Sequence, residues 1–146
     1  MGLFDDALGG NKPAALTKEV AFIGILMLAD YSDGTVSDDE MQAFVTAVSR
    51  MKLYRDLNGD QINRIIDRGN KHIKREGPEE ALKQFAAALP ENLHRAAFAN
   101  AVNQVLADGV VEEEEKAFIN DLRRALGLSG DDAQMIAKAM MWKNQG

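Results

Sequence analysis

Apolar residues recur along this chain at spacings of three and four, and strict alternation is absent. The pattern therefore predicts helices almost throughout and no β-structure. A short amphipathic piece from Leu3 to Leu8 ends at Gly9-Gly10. Pro13 opens the first long helix, expected from about Ala14 to Tyr31, because the first helical position has no use for an N–H. Its run VAFIGILMLA, Val20 to Ala29, is apolar nearly all round. That is about half of the roughly 20 residues a membrane span needs, so it reads as a buried helix. Gly34 stops this helix, and Ser37 with Glu40 supplies a capping box for the next, which runs to about Met51. Asn58 caps a helix over Gln61 to Arg75, and Gly77-Pro78 breaks it. Further helices are expected over Glu79 to Leu89, Pro90 to Leu106, Glu112 to Leu126 and Asp131 to Trp142. Gly109 and Gly127 act as stops, and Ser129 as a cap.

The pattern occurs twice. YSDGTVSDDEMQAF (Tyr31 to Phe44) and LADGVVEEEEKAFI (Leu106 to Ile119) align with an offset of 75 residues. Asp33 then matches Asp108, Gly34 matches Gly109, Val36 matches Val111 and Glu40 matches Glu115. The preceding helices match too, Ile23 with Phe98, Leu26 with Ala101 and Met27 with Val102, and after the turns Phe44 pairs with Ile119, Met51 with Leu126 and Leu53 with Leu128. The expected fold is all-α: a compact bundle of seven to eight short helices with a pseudo-twofold repeat of helix, Asp-Gly turn and helix. A single domain over residues 1–146 is expected, with repeat halves at about 14–76 and 77–146.

The spacing within each turn has chemical content. Glycine accepts the positive φ of a sharp reversal, and valine anchors the bend. The glutamate falls in the first turn of the following helix, near the positive end of its dipole. A carboxylate on each side of the bend can converge on one point, which makes Asp33, Glu40, Asp108 and Glu115 candidate oxygen ligands for a divalent metal such as Ca²⁺ or Mg²⁺. Asp30 and Glu112 are candidate additional ligands. The register equals the back half of an EF-hand loop, but the front half would place Ala29 and Tyr31, or Gln104 and Leu106, at ligand positions, so an EF-hand is excluded. The opposing reading is structural. Asp-Gly is a common turn, and acids at a helix start stabilise it.

These paired segments, each following an apolar helix, resemble the TerB-like family of tellurite-resistance proteins. The resemblance spans about Leu16 to Leu128 and rests on Asp33, Gly34, Val36, Glu40, Ala107, Asp108, Gly109, Val111 and Glu115, closed by Leu126-Gly127-Leu128. A related helical domain begins some membrane-anchored DnaJ-type co-chaperones. The resemblance implies an all-helical bacterial stress protein in the cytoplasm, at the inner face of the membrane. It implies binding of divalent metal (Ca, Mg, Mn or Zn) and work beside a membrane-bound protein partner. No catalytic residues carry over. The first copy departs from the family's direct Ala-Asp-Gly, since ADYSDG displaces Ala29-Asp30 by three residues. The alternative function is a metal-independent, co-chaperone-like interaction module.

Composition narrows the remainder. The 146 residues include no cysteine, which excludes disulfides and thiolate metal sites. Lys and Arg number 17 against 23 Asp and Glu, a net charge of −6 that disfavours nucleic acid. The opening MGLFDD lacks the basic flank of a signal peptide. Arg64, Arg68 and Arg75, with His72, form a basic stripe, either solvated or suited to acidic headgroups or an acidic partner. His72 and His94 lack catalytic companions. No nucleophile motif, phosphate loop or organic-cofactor site occurs, so no enzyme is expected. Phe22, Phe44, Phe85, Phe98 and Phe118 read as core, and Met140, Met141 and Trp142 are expected to dock on the body of the protein.

Overall fold

The computed structural model describes residues 16–30, 38–107 and 110–146. Among them the chain forms α1 (Lys18–Asp30), α2 (Asp38–Ser49), α3 (Gly59–Glu76), α4 (Pro78–Ala88), α5 (His94–Ala107), α6 (Glu113–Leu126) and α7 (Gly130–Lys143). A short 3-10 turn, Glu91–Leu93, precedes α5, and no strand occurs among the described residues. The expected piece from Leu3 to Leu8 lies outside them.

Helix α1 is the centre. Its ten residues from Val20 to Ala29 are all buried, as an all-round apolar helix requires. Thr17 Oγ1 accepts the Val20 N–H at 3.2 Å and so supports the helix start. Helices α3, α4 and α5 enclose α1, while α7 packs on α5 and α6 packs on α4 and α5. The repeat is echoed in part of this arrangement, since α1 lies on α3 as α5 lies on α7, whereas α6 packs on α5 and α2 packs on α3. The matched positions Ile23 and Phe98, Leu26 and Ala101, and Met27 and Val102 are all buried.

Close approach at the centre depends on a missing side chain. A methyl group added at Gly24 would overlap the ring of Phe85 on α4. On the other side, Gly69 of α3 faces Met27 and Gly24, with room for a methyl at 3.5 Å from the Met27 sulfur.

Asn58 caps α3 as its sequence predicts. Its Oδ1 accepts the Gln61 N–H at 2.8 Å, and Gln61 Oε1 accepts the Asn58 N–H at 2.9 Å. Gly77 then serves two helices. Its N–H closes α3 on the Ile73 carbonyl at 2.8 Å, and its own carbonyl accepts the Ala81 N–H of α4 at 2.9 Å. The backbone there is at φ 85°, ψ 155°, a region that only glycine occupies without strain. Helix α5 starts later than Pro90 because Leu89 and Pro90 are both extended, leaving the 3-10 turn as a lead-in.

A polar ring joins α3 to α4. Arg75 can only donate, so its contact of 3.0 Å with His72 Nδ1 makes that nitrogen an acceptor. The proton therefore sits on Nε2, which donates to Gln84 Oε1. Gln84 in turn donates to Glu76 Oε1 at 2.9 Å, and Arg75 Nε donates to Glu76 Oε2 at 3.4 Å. The His72 ring packs on Phe85 with centroids 5.2 Å apart. His72 is thus not part of the solvated basic stripe. It is 9% exposed, whereas Arg64, Arg68 and Arg75 are exposed.

Three other placements differ from the pattern-based expectation. Phe118 is only half-buried, because α6 packs at the periphery. Met140 packs against the core, but Met141 and Trp142 point outward, as that side of α7 faces no helix among the described residues. Tyr54 is an unanticipated core residue. It lies between α2 and α3, is fully buried, and donates its hydroxyl to the Glu19 carbonyl at 2.7 Å. Burial pushes its pKa far up, and the Glu19 charge adds to the effect.

Gly24→Ala should destabilise by about 1–3 kcal/mol through overpacking, whereas Gly69→Ala should stabilise by about 0.5–1 kcal/mol through helix propensity. Urea unfolding of the two variants checks this, and equal effects would contradict the packing described. The hydrogen bond from Gln84, aided by Arg75, holds the Glu76 carboxyl below its usual range. A lowered folded-state pKa means that this contribution is present above pH 4.5 and is lost as pH falls through the folded value. Glu76→Gln should therefore lose less stability than the parent chain between pH 5 and pH 3, measured as the shift of the urea midpoint.

Candidate functional site

The helices that follow the two Asp-Gly segments in sequence both begin with acids. Helix α2 carries Asp38, Asp39 and Glu40 in its first turn, and α6 carries Glu113, Glu114 and Glu115. The unpaired N–H groups at a helix start favour such charges by about 0.3–1 kcal/mol each. Glu115 reaches back, and its Oε1 accepts the Glu112 N–H at 2.9 Å. Glu113 meets Lys116 at 3.2 Å on the exposed side.

The six candidate metal ligands fall into two groups. Asp33 and Asp108, together with Gly34, Ser37, Val36 and Gly109, lie outside the described residues. Asp30 is exposed at the end of α1, Glu40 is exposed on α2, Glu112 is exposed before α6, and Glu115 is half-buried. Among the described residues no three His, Asp or Glu side chains gather into a group that could hold a metal ion. A cage built on these acids would have to draw on Asp33 or Asp108.

A groove of about 1490 Å³ runs beside both helix starts. Met27, Leu28, Met41, Ile66, Leu82 and Phe118 give it an apolar floor, and Lys74, Lys83 and Glu114 are among its polar lining. Met41 directly follows Glu40, and Glu114 directly precedes Glu115, so the residues after each turn border the same depression. Periodicity on α6 carried a signal for this. Glu114, Phe118, Asp121 and Ala125 repeat at helical spacing, and this mixed stripe is the one that lines the groove.

The basic side of α3 borders a separate cavity of about 160 Å³, where Arg68, Lys71, His72 and Arg75 meet Leu16 and Val20. Lys71 is paired there with Asp67 at 2.9 Å. His94 donates through Nε2 to the Leu89 carbonyl at 2.9 Å, which ties α5 to the end of α4. Both histidines thus make contacts that hold helices together. No helix among the described residues is long and apolar enough to cross a membrane.

No curated protein and no solved structure matches this chain. The family model for tellurite resistance protein TerB matches residues 19–138, which span α1 to most of α7 and include both Asp-Gly dipeptides. A match over that length, on a chain whose described residues are all-helical in fold, establishes that the chain belongs to the TerB family of tellurite resistance proteins.

Proposed function

We propose that this TerB-family chain is a non-enzymatic stress-response protein that binds a divalent cation through its acidic turns and signals that state to a protein partner. Asp33, Glu40, Asp108 and Glu115 are the proposed ligands, with Asp30 and Glu112 as additional oxygens. The observation that carries the reading is the shared groove, bordered by the residues that follow each turn. An ion neutralising either cluster would stiffen a turn and shift the first residues of α2 or α6, and with them the groove wall a partner would touch. Hard oxygen donors suit Ca²⁺, Mg²⁺ or Mn²⁺, and Zn²⁺ also accepts carboxylates. Cytoplasmic placement beside a membrane-bound partner follows from the family resemblance.

One observation favours a second reading. Glu115 already uses one oxygen to cap its own helix, as it would in a metal-independent interaction module whose acids only hold helix starts. The two readings differ in what a variant does. Glu115→Gln keeps an oxygen for the cap and removes the charge.

In thermal unfolding, a cation at a hundred times its Kd should add about 2.7 kcal/mol of stability. For a chain of this size that is a rise of roughly 5–10 °C in Tm. Asp108→Asn should abolish the rise, and Glu115→Gln should reduce it while leaving the metal-free Tm within about 2 °C. No shift with Ca²⁺, Mg²⁺, Mn²⁺ or Zn²⁺ would leave the interaction module standing instead.

A further inference from the structure

Helix α3 has a side that the metal-binding reading leaves unused. The cavity of about 160 Å³ beside the start of α1 is lined by Arg68, Lys71, His72 and Arg75 of α3, with Leu16 and Val20 opposite. Residues at i, i+3, i+4 and i+7 share one side of a helix, which brings these four to the same hollow. No carboxylate lines it among the described residues, although the chain carries a net charge of −6. The acids of the same helix are drawn elsewhere. Asp67 borders the larger groove, and Glu76 accepts from Gln84 Nε2 at 2.9 Å. A cation-lined hollow in an acidic protein is therefore a local arrangement and not a reflection of overall composition.

We infer that this cavity binds one phosphate-sized oxyanion, either free phosphate or the phosphomonoester end of a lipid headgroup. The planar fork of arginine matches two phosphate oxygens at once, and lysine adds a point charge. Arg75 is set in place for this. Its Nη2 donates to His72 Nδ1 at 3.0 Å and its Nε to Glu76 at 3.4 Å. These bonds leave its Nη1 group without a partner among the described residues. His72 is itself fixed by Gln84 and by the Phe85 ring. With both nitrogens bonded, the imidazole holds the guanidinium, and the charge comes from Arg68, Lys71 and Arg75. Lys71 gives one of its three N–H donors to Asp67 at 2.9 Å, so two remain for an anion. Leu16 and Val20 form an apolar wall, and the lower dielectric beside them strengthens each charge contact. Size sets the ligand class. Small-molecule sites usually span roughly 300–1,000 Å³, so about 160 Å³ admits one phosphate group and not a whole nucleotide. This inference does not depend on metal binding.

Titration of the isotope-labelled chain with sodium phosphate, followed by NMR against sodium chloride at matched ionic strength, tests it. The pH is set at about 7, where a phosphomonoester carries close to two charges. The expected result is that the Nε–H signals of Arg68 and Arg75 and the amides around Lys71 move with phosphate alone, saturating with a Kd of about 1 mM. Arg75→Gln should weaken binding about tenfold. Lys71→Gln should weaken it about threefold to fivefold with an unchanged thermal midpoint, since Lys71 is exposed and its pairing adds little to stability. Asp67→Asn, which releases the Lys71 ammonium, should tighten binding about twofold. Lys138→Gln, an exposed cation on α7, should leave the Kd unchanged. Phosphatidylcholine vesicles carrying phosphatidic acid separate the two sources. Vesicle binding that phosphate displaces assigns the site to a headgroup, and phosphate binding without vesicle binding assigns it to the free ion. Equal responses to phosphate and chloride would overturn the inference. So would Lys138→Gln weakening binding as much as Lys71→Gln, or vesicle binding with no response to soluble phosphate.

Discussion

The structure depends on enclosing one helix that has no polar side. A surface helix can present charges to water along half its circumference, but α1 buries ten residues in succession. Each Ile or Leu hidden there contributes about 1.5–3 kcal/mol of transfer free energy, and leaving any side open would forfeit it. The surrounding helices are therefore placed by a demand from the centre. Gly24 admits Phe85, Phe85 receives His72, and the polar ring through Gln84 and Glu76 satisfies the imidazole where it meets the apolar core. A buried histidine is tolerable only because both ring nitrogens are bonded.

Much of this was legible because it is local. Pro78, Gly77, Asn58 and Gly127 punctuate the chain where their backbone chemistry dictates, and the helices fall within a few residues of where the periodicity placed them. The duplicated register was legible for the same reason, since it compares like positions. The misses all involve distant partners. Tyr54 stands between helices with no periodic companions, yet a hydroxyl that reaches the Glu19 carbonyl takes it to the core. His72 sits at the same helical spacing as the arginines around it, and only the position of α4 separates its burial from their exposure. Trp142 carries a strongly apolar ring, and its exposure follows from which side of α7 meets α5. Of the candidate metal ligands, the helix-start position of Glu115 was legible from its spacing to Asp108-Gly109, while its bond to the Glu112 N–H was found only in the structure. Asp33 and Asp108 lie outside the described residues, so their reading still rests on the motif.

The acidic helix starts serve electrostatics on two scales. Within each helix, the carboxylates meet the positive end of the peptide dipoles, an attraction that fades beyond the first turn. Across the surface, Glu112 to Glu115 place four like charges in sequence, and Lys116 meets Glu113 among them. Local attraction and mutual repulsion thus act on the same side chains. The second is eased by any nearby cation, whether a dissolved ion or a basic group on another protein.

Gly77 has a geometric consequence for the groove. One residue ends α3 and begins α4, with its N–H and its carbonyl both spent on the flanking helices. The two helices are joined like the arms of an angle iron, and a second brace, the His72–Gln84 bond, spans them farther out. One bank of the depression is consequently stiff. Whatever widens or narrows its mouth has to come from the opposite bank, where α2 and α6 begin with their acids.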